Sequence, residues 1–323
     1  MSGAAASVGY STAQRSNTEL VNCLRVNFEN AIIDSEPETD GNGEQNGTGA
    51  QNGTHSMNVD HRRWTATMDE GKTICIPALD YNNEPLQEER EQYDITAKLF
   101  YLPNASPTHR EKQTREALDL VLKGLKMPSI DLLIVSFPGI YFDEVSEDCP
   151  DKISSRGPIE AEPESLDKQI DTWQILERLH DEGLVKRLGL SEFGAERLQP
   201  FLEKTRIRPA VDQINLRDCC SVPKPLMSLA KSNQIELLVH NDCTNILPRG
   251  TLREILGQGE DGAGVLSAGG EKLGKRKERD GEESAGTIKR DVVPQWVIKY
   301  TAVIQNRGVI ENKGYYAVAE VQG

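Results

Sequence analysis

Five short apolar segments of this chain end in side chains able to donate, accept or hold a proton. Lys98 lies in TAKLF, Ser136 in IVSFPG, Ser191 and Glu192 in GLSEF, Gln213 in VDQINL, and His240 with Asn241 in LVHND. Proton transfer to a developing alkoxide needs a donor placed beside it. This set is poor in such donors. The Ser136 hydroxyl is a weak acid on a short stem, and the Glu192 carboxylate only accepts hydrogen bonds. Lys98 has two readings, a charged remnant paired with a nearby carboxylate or a group that still holds a ligand. His240 likewise reads as a hydrogen-bonded rim histidine or as a ligand contact. No CxxC or HxxxH spacing offers a zinc site. Cys219 and Cys220 are adjacent, and a bond between them would close a strained eight-membered ring. A disulfide to another chain is easier, and the competing reading is two small apolar residues packed at a strand end.

The elements that would carry these residues alternate regularly. Asp131–Ser136 (DLLIVS) is a short apolar run suited to a strand buried on both faces. Before it, Ala117, Leu118, Val121, Leu122 and Leu125 recur at helical spacing; after it, Ile170, Trp173, Leu176 and Leu179 mark a helix stopped by Gly183. Strands follow at 185–191, 211–216 and 235–240. Between them lie helices at 195–204, interrupted by Pro200, and at 225–232. Trp296, Val297, Tyr300, Val303 and Ile304 predict a last amphipathic helix. Alternating strands and helices with short links predict parallel βα units, hence an α/β fold, a single (β/α)8 TIM-type barrel. In such a barrel function gathers at the C-terminal ends of strands, where the five segments end, while Asp131 at a strand start lies on the stability face.

Size and charge agree with this. Residues 35–58 hold almost nothing apolar, and residues 257–288 contain nine glycines among interleaved charges. Neither can bury enough surface to offset the entropy of ordering, so both are expected to be disordered insertions. The run GKRKER at 274–279 reads as a solvated charge run. With these loops and a disordered tail at 1–17 set aside, 250 of the 323 residues remain, the size of one barrel occupying 18–323. A net charge of −14 argues against nucleic acid or anionic lipid as a partner. No run of apolar residues is long enough for a membrane span, and the first residues lack a secretory pattern. Six cysteines are too few for a disulfide scaffold, so a cytoplasmic location is expected.

The order and spacing of the strand-end residues, from Thr96 to Asn241, resemble the aldo-keto reductases, barrel enzymes that move hydride from NADPH to a carbonyl. The resemblance places Lys98 at that family's catalytic lysine and Ser136 at its histidine. It places Glu192 at the asparagine that holds the nicotinamide carboxamide, Gln213 at a middle-strand glutamine, and His240 at the tyrosine that stacks on the nicotinamide. No tyrosine stands about thirty residues before Lys98, where the family's acid would lie; Tyr81 and Tyr93 come too late.

Several segments resemble one branch of that superfamily more closely, the regulatory (modifier) subunits of glutamate–cysteine ligase. They are Thr96–Phe100, Gln213–Leu216 with Cys219-Cys220, Leu237–Asp242, Val293–Trp296, Arg307–Ile310, Lys313–Tyr315, and Thr18-Glu19-Leu20 with Cys23. This resemblance implies a non-catalytic member of a heterodimer. It would bind the ligase's catalytic subunit, improve its use of glutamate and weaken feedback inhibition by glutathione, with no cofactor required. Residual NADPH binding, with Lys313 near a phosphate, is the sharper alternative for Lys98, and an active NADPH-dependent reductase of small carbonyl compounds is the rival function. The C-terminal aromatics Trp296, Tyr300, Tyr315 and Tyr316 are either a partner contact or part of the barrel's own core.

Overall fold

A computed structural model of the chain describes residues 12–35, 60–81, 86–103, 105–142, 161–216, 222–243, 245–258, 262–267, 288 and 290–321. Most of the two low-complexity stretches lies outside the described residues, as do Cys219 and Cys220. The first helix, α1 (Thr12–Asp34), begins inside the stretch expected as a tail.

Where the sequence predicts one domain, the chain divides into two compact units. The smaller comprises Val21–Tyr81, Arg249–Val293 and Val321–Gly323. It contains most of α1, the antiparallel pair β1 (Ala66–Met68) and β2 (Thr73–Cys75), and a helix at Arg249–Leu256. These segments flank the low-complexity stretches and bury apolar residues of their own, with Phe28 against Trp64 at 5.8 Å between ring centroids.

The larger unit comprises Met1–Leu20, Asn82–Pro248 and Pro294–Glu320 and carries the βα repeat. Its elements are β3 (Tyr93–Tyr101), α2 (Arg110–Leu125), β4 (Ile130–Ser136), α3 (Leu166–Asp181), β5 (Val185–Ser191), α4 (Ala195–Lys204), β6 (Val211–Ile214), α5 (Lys224–Asn233) and β7 (Glu236–Val239). Strands β3 to β7 pair in parallel in sequence order, as the alternation predicts. Pro200 lies inside α4 without splitting it. Two antiparallel strands, β8 (Val292–Ile304) and β9 (Val309–Val321), add to the far side of β3. The order is β7-β6-β5-β4-β3-β8-β9. The α/β class and the parallel repeat are present, and the seven-stranded sheet is open rather than closed into eight.

The segment predicted as a last helix is therefore a strand. Trp296, Ile298, Ala302 and Ile304 join the core at every second position or multiples of it, which is the period of a strand. A stretch of valine, isoleucine, tyrosine and threonine suits a pleated surface. The helical spacing of 296, 297, 300, 303 and 304 is a coincidence of a strand buried on both faces through most of its first half.

Strand alternation divides the sheet into two chemically distinct faces. Ile95, Ala97, Leu99 and Tyr101 of β3 enter the main core with Leu133 and Val135 of β4 and Leu188 and Leu190 of β5. The helices cover that core with Ala117, Leu118, Val121 and Leu125 of α2, Trp173, Leu176 and Leu179 of α3, and Leu198 and Phe201 of α4. Burying each large apolar side chain stabilises the fold by about 1.5–3 kcal/mol. Trp173 meets Phe201 edge-on at 5.2 Å and donates its indole N–H to the Ile207 carbonyl at 2.8 Å. Gly183, at φ 77°, ends α3 as its sequence position predicts. The opposite face is thinner in apolar matter, with Leu132, Ile134 and Val211 as its small cluster. Thr96 and Lys98 of β3 point there.

Candidate functional site

Lys98 is directly opposite Lys299 of β8 in the antiparallel register and beside Ile134 of β4 in the parallel one. Like charges facing each other across a strand pair repel. An acid from the segment after β7 lies between them. Asp242 accepts from Lys98 Nζ at 3.2 Å and from Lys299 Nζ at 3.5 Å. Lys299 also reaches Glu19 of α1 at 3.3 Å, and Glu19 in turn accepts from Lys313 of β9 at 3.1 Å. Positive and negative groups thus alternate across the face: Lys98, Asp242, Lys299, Glu19, Lys313. Together with Thr96, Ile134, Gln213, His240, Asn241 and Thr301, the first four of these line a cavity of about 420 Å³.

Burial shapes the charges. The Lys98 side chain is 6% exposed, and its burial pushes the ammonium below the ordinary lysine pKa, although Asp242 and Glu192 oppose the shift. Burial alone would raise Asp242; Lys98 and Lys299 outweigh it and hold the carboxyl below the usual carboxylate range. Glu19 follows the same pattern, with burial outweighed by Lys313 and Lys299, and it also takes a hydrogen bond from Tyr315.

His240 is held at both ring nitrogens. The backbone N–H of Asp242 donates to Nδ1 at 3.1 Å, so Nδ1 is an acceptor, and Lys98 Nζ is 3.3 Å from the same atom. The ring proton of the neutral imidazole therefore sits on Nε2, which lies 2.7 Å from Glu192 Oε1. The other Glu192 oxygen accepts the backbone N–H of Phe142 at 2.7 Å. Glu192 has φ 70°, a left-handed conformation uncommon outside glycine. Its carboxylate thereby ties the end of β5 to the segments that follow β4 and β7. Ser191 Oγ completes the cluster at 3.3 Å from His240 Nε2.

Of the sequence-predicted residues, Lys98, Gln213 and His240 line the cavity, while Ser191 and Glu192 contact the His240 ring. Ser136 is buried at the end of β4 and is not among the lining residues. Trp296 is fully buried in the core, which removes it as a surface contact. Tyr300 and Tyr316 stack on each other at 5.8 Å, packed against that core. Tyr315 lies near Lys299, whose Nζ is 5.7 Å from its ring centroid. Lys313 pairs with Glu19. Asp242, Lys299, Glu19, Thr96 and Thr301 were not anticipated as site residues. Alternation on β8, with Trp296 and Ile298 facing the core, is the signal that would have turned Lys299 and Thr301 toward the cavity.

Among the described residues no tyrosine lines the cavity, so the lining holds no phenol acid beside Lys98. The residues at the nicotinamide positions also do not fit that ring. A carboxamide needs a partner offering both donor and acceptor, whereas Glu192 offers acceptors that each already hold an N–H. Among the described residues no group of histidine, cysteine and carboxylate side chains could hold a metal ion, and no helix is long and apolar enough to cross a membrane.

Residues 77–253, more than half of the chain, match the aldo/keto reductase family model. The chain belongs to that family. Within it, the chain is similar to the putative glutamate–cysteine ligase regulatory subunit of Schizosaccharomyces pombe, 26% identical over 260 residues that cover 78% of this chain and 81% of that protein. The glutamate–cysteine ligase regulatory subunit of Mus musculus is 27% identical over 237 residues, 73% of this chain and 69% of its own. Among solved structures, the aldose reductase from Schistosoma japonicum matches at 29% identity with a TM-score of 0.34, over 46% of each chain. That match spans under half of the solved chain's length.

Proposed function

We propose that this chain is a non-catalytic regulatory subunit of glutamate–cysteine ligase. In a cytoplasmic heterodimer it binds the catalytic subunit, improves that subunit's use of glutamate and weakens its inhibition by glutathione, and it needs no cofactor to do so. The similarity to proteins named as that ligase's regulatory subunits, over about three quarters of the chain, carries this reading. The site supports it: a buried lysine with no tyrosine among the described residues lining its cavity, and a histidine locked between a carboxylate and a lysine, suit a structural cluster better than a hydride-transfer pocket. A regulatory subunit acts by binding two states of its partner unequally.

Titrating the purified chain into the catalytic subunit tests this. The expected result is a lower KM for glutamate and a higher glutathione concentration for half-inhibition, saturating at one regulatory chain per catalytic chain. Kinetics indifferent to the added chain would overturn the reading. Aldehyde turnover with NADPH that disappears in Lys98→Met would establish the reductase reading instead.

A further inference from the structure

The cavity beside Lys98 is built for charge, not for an apolar ligand. Of the ten described residues that line it, only Ile134 is aliphatic. Lys98 and Lys299 offer ammonium groups, Asp242 and Glu19 offer carboxylates, and Thr96 and Thr301 offer hydroxyls. The ion pairs among them are long. Distances of 3.2, 3.3 and 3.5 Å for Lys98–Asp242, Lys299–Glu19 and Lys299–Asp242 exceed the roughly 2.7–2.9 Å of a tight charge-assisted hydrogen bond.

We propose that this cavity binds a small zwitterion carrying an α-carboxylate and an α-ammonium, the headgroup of a free amino acid. The carboxylate pairs with Lys299, whose contacts are the loosest. The ammonium pairs with Asp242 and Glu19. A dicarboxylate without an ammonium meets Asp242 and Glu19 as like charges, and a diamine meets Lys98 and Lys299. A ligand with both signs satisfies both sets. The volume is at the low end of small-molecule pockets. This goes beyond the regulatory reading, because the site could be occupied whether or not the chain has a ligase partner.

Isothermal titration of the purified full chain, without any catalytic subunit, tests it with L-glutamate, glycine, succinate and putrescine, each up to about 10 mM, a range that detects millimolar affinity. Saturable heats with glutamate and glycine, and none with succinate or putrescine, are expected. Lys299→Met and Glu19→Gln, each checked for native circular dichroism, should weaken glutamate at least about tenfold, the effect of one lost hydrogen bond to a charged group. No saturation by either amino acid overturns the proposal. So does equal binding of succinate or putrescine, or glutamate binding unchanged in both variants. Because no partner is present, these outcomes are independent of the kinetic titration that tests the regulatory role.

Discussion

Asp242→Asn tests the charge arrangement directly. Asp242 is 16% exposed at its side chain and separates Lys98, 6% exposed, from Lys299, which lies directly across the strand pair. Asparagine keeps the shape and removes the negative charge. Breaking a buried ion pair from one side costs about 3–5 kcal/mol. The lower end applies here, because Lys98 keeps His240 Nδ1 at 3.3 Å and the Phe100 ring at 5.0 Å. At about 2–4 °C per kcal/mol for a unit of this size, the melting temperature should fall by about 6–12 °C. Adding Lys98→Met removes the stranded ammonium, so the double variant should be more stable than Asp242→Asn alone, with a coupling of about 2 kcal/mol. The loss should also depend on pH. Without Asp242 the buried ammonium falls further below its unfolded pKa of about 10.4, so the unfolded chain binds the extra proton and stability rises with pH. The deficit should therefore shrink between neutrality and about pH 10. Chemical denaturation of the wild-type, both single and the double variants at pH 7 and pH 9.5 measures all three effects. A single variant within about 0.5 kcal/mol of wild type, or a double variant no better than the single, would refute the reasoning.

Two further outcomes follow from the fold. Asp131 accepts from Arg90, Lys186 and the Ile95 N–H, each at 2.8 Å; burial would raise its pKa, but these partners outweigh it and hold the carboxyl below the usual range. Its contribution is complete above the unfolded aspartate pKa of about 3.9 and is lost as pH falls through the folded value. Asp131→Asn should cost about 2 kcal/mol at pH 7 in urea titrations, and the gap from wild type should close in acid. Gly139 has φ 70°, and a Cβ there would lie 2.5–2.6 Å from the carbonyl oxygens of Glu162 and Ala161. Gly139→Ala should therefore lose about 2–4 kcal/mol by strain and overpacking, seen as a lowered melting temperature; an unchanged melt would contradict the geometry.

The parallel repeat was legible because its strands and helices carry their periods locally. Asp131–Ser136 reads as a buried strand from six residues, and Trp173, Leu176 and Leu179 as a helix face. The antiparallel addition was not legible, because β8 is buried on both faces over much of its length and its apolar pattern fits a helix as well as a strand. That misreading concealed Lys299. His240 and Gln213 were found because each lies next to the last residue of a local strand. Asp242 and Glu19 gain their importance only from long-range pairing: register places Lys299 opposite Lys98, and an acid must then lie between them. The tie from Glu192 to His240 likewise depends on where β5 and β7 end in space, which spacing along the chain does not encode.

The late position of β8 bears on how the larger unit is made. Strand β3 is flanked by β4 on one side and by β8 on the other, and β8 is synthesised only after every parallel strand. Until residues 292–304 emerge from the ribosome, β3 presents a row of unpaired amides and carbonyls, an adhesive rim to any neighbouring nascent chain. A chain stalled short of that point would keep its helices and lose its shield, and chaperone occupancy should peak there.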